Sequence, residues 1–190
     1  MNLPPGAGPV LIGMARSLIA EDLGLGKGVP VPDGDWLDEP GASFVTLRID
    51  GELRGCIGSL MAYRPLADDV CGNAVAAAFQ DPRFPPLSAD EFPQITIEVS
   101  VLSNPEPMPF GTKQEALGLL QPGVDGVVLT AHGRRATFLP QVWEELPDRE
   151  QFIRHLMAKA GLPPDFWDDS VRIERYTVVA FDEPDSTQKA

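Results

Sequence analysis

The pair Asp50-Gly51 constrains this chain more than any other two residues. It separates Phe44-Val45-Thr46-Leu47-Arg48-Ile49, an alternating run, from Leu53-Arg54-Gly55-Cys56-Ile57-Gly58. Asp-Gly between two such runs is the strongest short hairpin signal, because a tight turn needs positive φ at its central residues. The turn also sets the register of the second arm. In an extended arm side chains alternate, so Leu53, Gly55 and Ile57 share one face and Arg54, Cys56 and Gly58 the other.

That alternation makes the second arm a candidate site. A guanidinium beside a thiol favours thiolate and lowers a cysteine pKa from its free value of about 8.5. Gly55 and Gly58 remove side chains next to the sulfur, which lets a ligand or another backbone approach. Cys56 and Arg54 are therefore the candidate catalytic residues, and Arg54, Gly55, Cys56, Ile57 and Gly58 the candidate binding residues. The structural alternative is a small thiol packed in a tight strand crossing. A cysteine nucleophile usually works with a histidine. His132, in the turn of a second hairpin, is a further candidate, whereas His155 flanks a helical stripe.

The rest of the chain frames this arm. Residues 1–9 are rich in Pro and Gly and read as a flexible N-terminus. From Val10, Leu11, Met14, Ala15, Leu18 and Ile19 recur at helical spacing, and Gly24 and Gly26 stop the helix. Residues 27–42 read as a loop with a short extended piece, pinned by Trp36 and Leu37. Pro65 opens an alanine-rich helix through Gln80, with Asp68 and Asp69 complementing its dipole. The run 82–86 is an extended connection. Asp81 and Arg83 read as a solvated ion pair at the helix end or, alternatively, as residues that face the cleft. Residues 95–101 alternate as a half-exposed strand, and prolines at 103–112 suggest a bridge to a second lobe. A short helix at 113–121 follows, then a hairpin through His132-Gly133, a short helix at Val142-Trp143 and a helix at 148–160 capped by Gly161. Arg134 and Arg135 form a basic doublet that suits either an anion or solvent. Val171 to Phe181 changes apolar parity near Arg175, which a bulge or a shift between sheet faces explains. Residues 183–190 read as a polar tail. Hairpins with interspersed helices define an α+β fold: antiparallel sheets with flanking helices, two unequal lobes and a cleft between them.

Composition narrows the function classes. The chain has 190 residues, enough for a well-buried core, and is 43% hydrophobic. Fifteen Lys and Arg against 28 Asp and Glu leave a net charge of -13, which disfavours nucleic acid and anionic membranes. Two cysteines are too few for a disulfide framework. No run approaches the roughly 18 apolar residues of a membrane helix, and the start has no basic flank, so a soluble cytoplasmic protein is expected. No ligand spacing points to a metal, no glycine loop points to a nucleotide, and no cofactor is expected.

Six blocks together resemble a known family. They are LRGCIGSL (53–60), DPRFPPLSADE (81–91), ITIEVSVLSNPEPM (95–108), GVVL (126–129), TFLPQVW (137–143) and REQFIRHLMAKAGLP (149–163). In this order they resemble the AmmeMemoRadiSam system protein A family, related to the AMME-syndrome chromosomal-region candidate protein of animals, over residues 10–182. The resemblance implies an α+β domain of two unequal lobes with the glycine-cysteine motif near the cleft. It also implies two partners, a Memo-like protein and a radical S-adenosylmethionine (SAM) enzyme. The chain lacks a three-cysteine cluster motif, so radical chemistry would belong to the partner. Two functions follow from this reading. One is an enzyme or small-molecule binder that uses Cys56 as a reactive thiol. The other is a non-catalytic binding or scaffold module in which Gly55, Cys56 and Gly58 are structural.

Overall fold

Residues 3–27 and 34–183 are described by the computed structural model. Residues 28–33 of the expected loop 27–42, and most of the expected tail (184–190), lie outside the described residues, as do residues 1–2. The chain divides into two compact units: Met1–Leu102 with Val179–Ala190, and Ser103–Val178.

The first unit begins with α1, Ala7–Asp22. Ala7 to Pro9 thus form the first helical turn and not a flexible terminus. Pro9 is tolerated there because first-turn N–H groups have no intrahelical acceptor. At the other end Gly24 turns with φ 71°, and its N–H and that of Leu25 close on the carbonyls of Glu21 and Ala20. This is the glycine stop expected from the sequence. A single turn, α2 (Asp35–Asp38), buries Leu37 and leads into β1 (Pro40–Ile49).

Asp50 and Gly51 both adopt positive φ, 52° and 81°, and return the chain into β2, Glu52–Gly58. Then come β3 (Arg64–Pro65), α3 (Leu66–Phe79), a 3-10 turn (Phe92–Gln94) and β4 (Ile95–Leu102). β1 pairs antiparallel with both β2 and β4, and β3 pairs with the start of β1. α3 packs on β1 and β2, with α1 against α3 and β4. Leu66, Val70, Ala74, Ala77 and Ala78 of α3 join Val45, Leu47, Ile97 and Val99 in one core.

The second unit contains β5 (Glu106–Pro107), α4 (Lys113–Leu119), β6 (Gly126–Ala131), β7 (Arg134–Phe138), α5 (Val142–Glu145), α6 (Arg149–Lys159) and β8 (Arg172–Tyr176). Its sheet order is β5-β8-β6-β7. Prolines at 103–112 break the helical and strand patterns, but Glu106–Pro107 still pairs with β8. α4 ends two residues short of the expected 113–121, with Leu120 extended and fully buried. Phe152 of α6 stacks on Trp143 at 3.6 Å between ring centroids, and the Trp143 indole N–H donates to the Asp125 carbonyl.

The parity change near Arg175 is a change of sheet. β8 ends at Tyr176, and after Thr177 the chain enters β9 (Val178–Asp182), which joins the first sheet in the order β2-β1-β4-β9. Glu183 is held rather than loose: it accepts from the Arg16 guanidinium and from the Ile97 N–H. The fold is α+β with antiparallel sheets and flanking helices.

Candidate functional site

The register of the first hairpin slips in its middle. Thr46 faces Cys56 and Leu47 faces Gly55, but Arg48 faces Leu53, so Arg54 is an extra residue on β2. Such a bulge breaks alternation and re-aims one side chain. The simple rule that would set Arg54 beside Cys56 on one face does not survive it. The Arg54 guanidinium instead donates to Glu91 from Nε at 2.8 Å and Nη2 at 3.1 Å, over the Phe84 ring. Arg54 is 8% exposed, and its buried Nη1 has no hydrogen-bond partner among the described residues.

The two glycines have separate structural reasons. Gly55 lies on the α3 face, paired with buried Leu47, and a Cβ there would stand 2.2 Å from the Ala77 carbonyl oxygen. Gly58 lies under the Phe44 ring, which a Cβ would strike at the same distance. Ile57, paired with Val45, packs on the core.

Cys56 occupies the opposite face from Gly55. In cross-strand register it stands in a row with Thr46 and then Glu98 of β4. The Thr46 hydroxyl donates to the Cys56 Sγ at 3.3 Å. β2 is an edge strand of this sheet, so the backbone groups of Cys56 that point away from β1 need other partners. The DPRF segment supplies them: the Asp81 carboxylate accepts from the Cys56 N–H at 2.9 Å, and Arg83 Nη2 donates to the Cys56 carbonyl at 3.2 Å. Arg83 also binds Asp81 through Nε and Nη2, at 2.9 and 2.7 Å.

Asp81 and Arg83 are therefore a pair in which the carboxylate is buried, Asp81 being 4% exposed, and the guanidinium is half exposed to solvent. Hydrogen bonding from Arg83 pulls the Asp81 carboxyl far below the usual carboxylate range, against the opposing effect of burial, and the Cys56 N–H helps. The same pairing raises Arg83, with a smaller contribution from Cys56. Arg54 bonding, aided by Ser88, lowers Glu91 to about 2. Cys71, on α3, is raised by burial and then by Asp68.

A second buried centre gathers around Asp69. Asp69 is 0% exposed, so its role exceeds the helix-dipole complement expected of it. Its Oδ1 accepts from the Ser59 hydroxyl at 2.7 Å and Arg64 Nε at 2.8 Å. Its Oδ2 accepts from the Ser43 N–H, the Ser43 hydroxyl and Asn73 Nδ2, at 2.8, 2.7 and 2.9 Å. Asp69 and Asn73 sit four apart on α3, and that spacing was the one signal available.

The remaining candidates belong to the second unit. His132 takes φ 47° in the β6–β7 turn, and its Nε2 bonds Asp168 at 2.8 Å. Ser170 first, and His132 second, lower Asp168 to about 2. Arg134 donates to the Gly161 carbonyl and Arg135 pairs with Glu174, so both arginines of the basic doublet have partners. His155 bonds the Gln151 carbonyl of its own helix. Among the described residues no three His, Cys, Asp or Glu side chains are placed to hold a metal ion, and no helix is long and apolar enough to cross a membrane.

Comparisons with known proteins place this α+β chain in one family. The AMMECR1 family model matches residues 12–181, and this chain belongs to that family. A protein of Methanothermobacter thermautotrophicus is 39% identical over 180 residues, covering 93% of this chain and 94% of the relative. One from Thermotoga maritima is 44% identical over 138 residues, covering 72% and 74%. The crystal structure of an uncharacterized protein from Pyrococcus horikoshii superposes with a TM-score of 0.76 at 35% identity, covering 93% of this chain and 91% of that one.

Proposed function

We propose that this protein is a binding module that presents the Cys56 thiol from a rigid strand edge to a small molecule. We place it in the cytoplasm beside a Memo-like protein and a radical SAM enzyme, the partners implied by its resemblance to the AmmeMemoRadiSam system protein A family. One observation carries the reading. Both backbone polar groups of Cys56 are fixed by the Asp81–Arg83 pair, while Sγ has a hydroxyl beside it and the residue is half-buried rather than buried. A thiol held in this way is preorganised for contact. The Arg83 guanidinium, half exposed, adds a donor suited to an anionic or carbonyl group of the ligand.

The neighbour of Sγ is a threonine hydroxyl, which is not a general base. That favours binding over nucleophilic turnover by this chain alone. The test is a reconstitution of the three proteins with wild-type chain or Cys56→Ser. The expected result is an intact complex whose turnover falls at least about tenfold with the serine variant. Unchanged turnover would remove the thiol from the function.

The contact between Gly55 and the Ala77 carbonyl favours a second reading, in which LRGCIG is a packing motif only. Under it Cys56→Ser is silent, and Gly55→Val alone destroys the complex by destroying the fold.

A further inference from the structure

Directly after LRGCIG the chain makes a short loop, Leu60-Met61-Ala62-Tyr63. Its side chains face the wrong way for a core: Leu60 is 42% exposed, Met61 57% and Tyr63 69%. Three large apolar or aromatic residues within four positions are a concentrated exposure, of the kind that marks interaction sites. The loop is not slack. Ser59, before it, donates its hydroxyl to Asp69 Oδ1 and its N–H to the Ser43 carbonyl at 2.8 Å. Arg64, after it, donates Nε to the same Asp69 Oδ1 and pairs as a strand with Gly41. One fully buried carboxylate oxygen therefore joins both ends of the loop.

We infer that this loop is a preformed docking knob for a protein partner with an apolar pocket bordered by lysine or arginine. Fixing the ends removes part of the ordering entropy that a flexible loop would lose on binding. Tyr and Met are side chains enriched where interface energy concentrates. The rim argues for the partner's charge. The Glu39 carbonyl accepts from the Leu66 N–H, Pro40 pairs with Pro65, and Asp68 lies in the first turn of α3, which sets the exposed Asp38, Glu39 and Asp68 around the loop base. The cation there, Arg64, is engaged by Asp69. An acidic rim repels a second copy of this chain, whose net charge is -13, and steers a basic surface toward the knob. This inference stands apart from the role of the Cys56 thiol and does not need it.

The test places p-benzoylphenylalanine at Tyr63 in the full chain, with Val124 (49% exposed, in the second unit) as the control position. Both proteins are irradiated in lysate of the native host. The expected result is one dominant adduct from position 63, at least about tenfold above position 124, with its cross-link in an apolar peptide flanked by lysine or arginine. Its yield drops between about 0.1 M and about 0.5 M salt and is lost with Leu60→Ser, a variant that melts with the wild type because Leu60 is exposed. The purified partner then binds Leu60→Ser at least about tenfold more weakly than wild type. Equal yields at the two positions, an adduct with a second copy of this chain, a cross-link in an acidic surface, or indifference to Leu60→Ser each overturns the inference.

Discussion

Gly55 and Ala77 meet so closely that no side chain fits between them: a Cβ at position 55 would lie 2.2 Å from the Ala77 carbonyl oxygen. That oxygen is helical backbone, so it cannot swing aside as a side chain would. Gly55→Ala is expected to destabilise the fold by about 1–3 kcal/mol, the range of overpacked cores. Urea unfolding measures it, and a variant as stable as wild type contradicts the close approach.

Glu91 falls from 4.5 to about 2 beside Arg54, and Asp81 is lowered by Arg83. Each carboxyl binds its proton less readily in the folded state than in the unfolded chain. Their contribution to stability is therefore complete above pH 4.5 and is lost as the pH falls from there toward about 2. The wild-type urea midpoint should drop across this window. Asp81→Asn should start from a lower midpoint at pH 7 and drop less steeply. Parallel curves for the two proteins would contradict the pairing of Asp81 with Arg83.

Asp69 takes five hydrogen bonds at 0% exposure. Asp69→Ala leaves the Arg64 charge and several buried donors without their acceptor. The expected loss is about 3–5 kcal/mol, the range for breaking one side of a buried charge pair. Amides at 59–64 should also exchange faster with solvent, because both ends of that loop are released. Unchanged exchange there would contradict the anchoring role.

Much of the frame was legible because it is local. Asp50-Gly51 announces its turn, and Gly24 and Gly161 close their helices with φ of 71° and 74°. The alanines of α3 foretell a close approach to a sheet. What escaped depends on distance along the chain. The bulge at Arg54 is one extra residue that alternation cannot reveal, and its ion-pair partner Glu91 lies 37 positions away. Asp81 and Arg83 read as a pair in the sequence, but the burial of Asp81 and the pair's grip on the Cys56 backbone follow from where DPRF crosses the edge of β2. Asp69 shows a helix-terminal acid in sequence and a five-donor buried centre in space. His132 is the histidine the sequence offers as a partner for the thiol, and the hydrogen bond it makes is to Asp168.

The measurement that bears most directly on the function is the alkylation rate of Cys56 in the folded protein across pH, read by peptide mass spectrometry with Cys71 as internal control. Burial and Asp68 raise the Cys71 thiol, so it should label slowly until the protein unfolds. A presented thiol at Cys56 should label under native conditions, well ahead of Cys71, and lose that lead only in denaturant. If Cys56 stays unmodified until unfolding, the thiol is a packing group and the proposed binding role fails.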